Sequence, residues 1–106
     1  MRVLKPMVLI LPILLALACA SSLPMPTQET VTRASRLWPD ADLANLQAGR
    51  EHYLQNCGAC HALHLPNELT PAQWDHIMVR MQVKARIDDN MSQSILHYVK
   101  SFAAPE

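Results

Sequence analysis

Apolar positions along the 106-residue chain follow two regimes. From Met7 to Ala18 they are almost continuous, broken only by Pro12, and they stand behind a start that carries Arg2 and Lys5. Positive charge, then an apolar run, then small residues is the order of an export signal. The run is too short to cross a bilayer comfortably, which takes about 20 apolar residues. From Leu43 onward the apolar residues return at spacings of three and four, the period of helices that bury one face. No strand-like alternation is visible.

This period predicts three helices. The first starts from Asp40 or Asp42 as cap and runs through Leu43, Leu46, Gly49, Tyr53 and Leu54 into Cys57. The second has a full set of start signals: Thr70 as N-cap, Pro71 at the first helical position, Gln73 closing a capping box, and Leu69 placed to staple against Trp74. Trp74, Ile77, Met78, Met81 and Ala85 share its apolar face, His76 and Val79 point away, and Lys84 and Arg86 suit the dipole of its last turn. Asp88 caps the third helix, whose buried side is Met91, Ile95, Tyr98, Val99 and Phe102, and the last residues are expected to fray. The fold class is therefore all-α, a small three-helix domain over residues 38–106, with Trp38-Pro39 marking where order begins. Residues 1–18 are expected to be the signal. Residues 19–37, rich in Ser, Pro, Thr and Gln and without a hydrophobic period, are expected to be a flexible linker.

Chemistry enters at Cys57-Gly58-Ala59-Cys60-His61. A Cys-x-x-Cys-His run is the attachment signature of a covalent haem c. Two thiols three apart reach neighbouring vinyl groups of the porphyrin, and the histidine after the second is carried to the iron as an axial ligand. A structural zinc site would need a second Cys/His pair at ligand spacing, and a thioredoxin-like motif a βαβ pattern around it. Neither is present. The third cysteine, Cys19, closes Ala16-Leu17-Ala18-Cys19, which resembles a lipoprotein cleavage box and makes Cys19 the candidate lipidated residue; ordinary cleavage near Ala18 is the alternative. With two cysteines on haem, no disulfide is expected. Once Arg2 and Lys5 are removed, seven Lys and Arg face nine Asp and Glu, a balance that excludes nucleic acid as a natural partner.

Gly49-x-x-x-Tyr53-x-x-x-Cys57-x-x-Cys60-His61 resembles the N-terminal helix and haem motif of class I c-type cytochromes. The resemblance implies that Gly49 admits an aromatic from the C-terminal helix, where Ile95-x-x-Tyr98 stands. Leu46-x-x-Gly49-Arg50, Thr70-Pro71-x-x-Trp74 and Arg80-Met81 are similar to a group of small bacterial mono-haem cytochromes. That likeness, with its place on the apolar face, makes Met81 the expected sixth ligand and Met78, one turn away, the runner-up. Tyr53, Pro66, Trp74, Ile77, Met78 and Tyr98 are expected to pack around the haem, with the Pro66 carbonyl a candidate for orienting His61. His52, His76 and His97 read as surface residues, while His64 lies nearest the motif.

These readings imply an exported electron-transfer protein. It would hold one haem, cycle Fe(II)/Fe(III) in the periplasm, meet redox partner proteins and be tethered to a membrane through lipidated Cys19. No enzyme constellation is legible. A haem-based NO or CO sensor with a labile sixth ligand is the alternative from another class, and a non-catalytic haem subunit of a respiratory or dehydrogenase complex is a third.

Overall fold

The computed structural model describes residues 23–58 and 63–106. The described residues form four α-helices and no strand: α1 (Gln28–Ala34), α2 (Leu43–Asn56), α3 (Pro71–Ala85) and α4 (Asp89–Ser101), with a short 3-10 turn at Pro66–Glu68. The all-α expectation holds, and the three expected helices are α2, α3 and α4.

Each of these three starts where a side chain satisfies a backbone N–H that the helix leaves open. Asp42 accepts from the Asn45 N–H at 2.8 Å, and Asp88 accepts from the Met91 N–H at 2.8 Å. At α3 the capping box closes both ways: Thr70 Oγ1 accepts from the Gln73 N–H, and Gln73 Oε1 accepts from the Thr70 N–H. The end of α3 differs from expectation by one residue. Arg86 lies beyond the last turn as the cap, in the left-handed region at φ 55°, so that Ile87 N–H returns to the Gln82 carbonyl.

Helix α4 is the hub. It packs on α1, α2, α3 and the 3-10 turn, and its Ile95, Tyr98 and Val99 are fully enclosed. The α2–α4 crossing is close because Gly49 has no side chain: a Cβ there would land on the Ser94 carbonyl oxygen and 2.8 Å from Tyr98 Cβ. Any larger residue would wedge the two helices apart.

Two expectations are corrected. The segment expected as a flexible linker folds from residue 23: Leu23 and Ala34 are buried, and Thr27 and Thr30 cap α1 reciprocally. Its order comes from tertiary contacts that a local pattern does not display. Tyr98 Oη donates to the Pro24 carbonyl at 2.7 Å, and Arg50 Nη2 donates to the Leu23 carbonyl at 3.3 Å. The C-terminal residues, expected to fray, are also tied in. Ala104 N–H donates to the Leu69 carbonyl at 2.9 Å, and Glu106 Oε1 accepts from the Ala72 N–H in the first turn of α3.

Candidate functional site

Helix α2 delivers the motif. Its last hydrogen bond brings the Cys57 N–H to the Tyr53 carbonyl, and Cys57 is its C-terminal cap. Gly58 then takes φ 103°, a conformation that side-chain-bearing residues rarely adopt, so the chain turns out of the helix inside the motif. Cys60 and His61 lie outside the described residues, as does Cys19.

Cys57 opens onto a cavity enclosing about 140 Å³, walled by Tyr53 from α2, Leu63 and His64 from the following loop, and Trp74, Ile77, Met78 and Met81 from α3. The wall is apolar by construction. Helical periodicity puts the four α3 residues on one face, while Val79 is 71 % exposed on the other. Cys57 is half-buried, and that burial pushes its thiol pKa up. Tyr53 is buried with its hydroxyl donating to the His64 carbonyl at 2.7 Å, and burial pushes the phenol well above its ordinary range, with Cys57 adding to the rise.

Two of the residues expected around the haem, Pro66 and Tyr98, do not line this cavity. Pro66 is buried on the far side of the loop, lining a separate groove with Pro24, Leu65, Asn67 and Phe102. Its carbonyl accepts from Trp74 Nε1 at 2.8 Å, so its hydrogen bond serves to fix the indole that walls the cavity. Tyr98 lies behind Tyr53, ring centroids 6.4 Å apart, in the α2–α4 crossing, with its phenol pushed up to about 12 by burial against the opposing pull of Arg50. Tyr53 meets Trp74 edge to face at 5.9 Å, so the cavity wall is continuous with the core.

The two methionines differ in setting. Met78 is 4 % exposed and belongs to the buried core, whereas Met81 sits half-exposed at the core's edge. Among the histidines, His64 lines the cavity, and its Nδ1 lies 2.8 Å from Glu68 Oε2. His97, read from the sequence as a surface residue, is half-buried under Trp38, the rings stacked 4.2 Å apart. Leu63 was not foreseen as a lining residue, whereas His64 stood out among the histidines by its nearness to the motif. Position in the chain just after the motif was the one signal for Leu63.

The donor set fits a porphyrin: a thiol, an aromatic and aliphatic wall and two thioethers line one cavity. Residues 53–106, just over half of the chain, match a family model described as dihaem cytochrome c. No curated protein and no solved structure matches the chain.

Proposed function

The chain belongs to the dihaem cytochrome c family, and from that premise we propose that these 106 residues form an exported c-type cytochrome unit that carries one haem and passes single electrons between partners. The family name specifies two haems where the resemblance to class I mono-haem cytochromes implied one. The sequence holds a single Cys-x-x-Cys-His run, which supports one covalent attachment within these residues.

Bound there, the haem supplies a one-electron Fe(II)/Fe(III) couple. Cys57 and Cys60 would hold it by thioether bonds, with His61 as the proximal ligand. Tyr53, Leu63, Trp74, Ile77 and Met78 present apolar surface that keeps water away, a setting that favours the less charged reduced state. Of the two methionines that line the cavity, Met81 would bind the iron on this reading, because it lies at the core's edge while Met78 is buried within the core. Thioether sulfur also favours Fe(II), so ligand and wall pull the potential in one direction. The unit acts as a carrier rather than a catalyst, in the periplasm, attached to the membrane through lipidated Cys19.

The observation that carries the reading is the shared cavity of Cys57, Met78 and Met81. Its test is the visible spectrum of the oxidised protein. Wild type is expected to show the weak sulfur-to-iron band at the red end of the spectrum, and Met81→Ala to lose it while Met78→Leu keeps it. A wild type without the band, whose reduced form takes up CO readily, would transfer the assignment to a gas-binding protein. Haem content against polypeptide, measured as the pyridine haemochrome, is expected to be one.

A further inference from the structure

Arg50 and Tyr98 hold something that the haem cavity does not require: the backbone of the segment leading back toward Cys19. Leu23 is 3 % exposed, its carbonyl accepts from Arg50, the Pro24 carbonyl accepts from Tyr98, and the Thr27 cap starts α1 three residues later. The chain is thus fixed to the globule from Leu23 on. On the proposed reading that Cys19 carries lipid, four peptide steps separate the anchor from this fixed point. Fully extended, they span about 14 Å. Roughly 6 Å of that is taken up in crossing one headgroup layer. Too little remains for the globule to stand clear of the bilayer.

The surface beside Leu23 is also of the right kind. Beside Leu23 runs the groove lined by Pro24, Leu65, Pro66, Asn67 and Phe102. Met25, next in the chain, is 58 % exposed, and the Arg33 guanidinium lies 5.5 Å above the Phe102 ring, paired to Glu29 at 3.9 Å. Apolar side chains at the height of a cation match a headgroup layer, where methylenes and phosphate oxygens meet. We propose that Pro24, Met25, Leu65 and Phe102 form a contact rim held against the phospholipid surface, with Arg33 on the phosphates, so that the lipid is a short, orienting tether. The loop 63–67 gives Leu63 and His64 to the haem cavity and Leu65 to Asn67 to the groove. The cavity proposed for the haem would therefore lie one loop's thickness from the bilayer.

The test uses the haem-loaded full chain, purified from membranes and placed in vesicles of phosphatidylethanolamine and phosphatidylglycerol. The mass of the N-terminal peptide reports acylation of Cys19, and hydrogen exchange at the amides of Met25, Leu65 and Asn67 reports contact. An acylated protein whose exchange at these amides slows on vesicles supports the proposal. That slowing should be lost in Met25→Glu and on a long Gly/Ser insertion between Ser22 and Leu23. Acylation with unchanged exchange overturns the rim and leaves the lipid reading standing. Absence of acylation removes the lipid reading and the proposal with it. Slowing without vesicles that grows with protein concentration assigns the groove to a second copy of the chain and overturns the membrane contact.

Discussion

The α2–α4 crossing and the α3 face are built to different standards of closure. At the crossing the protein fills its own space: Gly49 admits the α4 backbone, Ile95, Tyr98 and Val99 are fully enclosed, and Arg50 and Tyr98 reach through to the Leu23 and Pro24 carbonyls. On α3, Trp74 and Met78 are buried, but Ile77 and Met81 stand half-exposed around the cavity, and the helix packs mainly on α4. One side of the core is finished by side chains. On the proposed reading the other would be finished by the haem, whose apolar surface would do for α3 what Tyr98 and Ile95 do for α2. A domain this small has little surplus burial to spare, so the two sides should respond differently to insult.

The largest effect should come from removing the thiols. Cys57→Ala/Cys60→Ala, which prevents covalent attachment, is expected to lose most of its helical circular dichroism. Amides of α3 should exchange fastest and those of the α2–α4 crossing slowest in whatever structure remains; uniform exchange across both regions would break the comparison. Next is Gly49→Ala, which attacks the self-sufficient side. Its Cβ falls on the Ser94 carbonyl and against Tyr98, so denaturant unfolding of the haem-loaded protein should show a loss of about 3 kcal/mol. An unchanged midpoint would mean that the crossing is looser than its geometry.

Tyr98→Phe keeps the ring and deletes the hydroxyl that the Pro24 carbonyl accepts from, a change expected to cost about 1 kcal/mol and to expose residues 23–27 to proteolysis, with the visible spectrum unaltered. The smallest effect concerns pH. Burial under Trp38 lowers the pKa of His97, Asp40 pulls it back up, and Lys100 lowers it further. A histidine whose folded pKa lies below its unfolded value of about 6.5 binds its proton more readily in the unfolded chain, so its contribution is intact above that pH and is lost as pH falls through it. His97→Gln should flatten that part of the acid limb in a plot of unfolding midpoint against pH.

Much of this was legible in the sequence where the signal was local. Thr70, Pro71 and Gln73 fix the start of α3, Asp88 the start of α4, and the Cys57 to His61 spacing names the cofactor, because capping and thioether attachment depend on residues a few positions apart. The sequence was silent where order is borrowed from afar. Residues 23–37 lack a hydrophobic period, and their fold rests on hydrogen bonds to Arg50 and Tyr98, partners 27 and 74 positions away. The site divides in the same way. Trp74, Ile77, Met78 and Met81 share a helical face that periodicity reveals. The fate of the Pro66 carbonyl depended on an indole eight residues on, and His97 met Trp38 across the fold.

The closing residues deserve a practical reading. Glu106 holds the Ala72 N–H in the first turn of α3, and Ala104 ties back to Leu69, so the tail stitches down the helix that walls the cavity. A purification tag joined directly after Glu106 would tug at that stitch. The safer handle there is a tag set off by a generous spacer, with the absorbance ratio of haem to protein as the yield to watch.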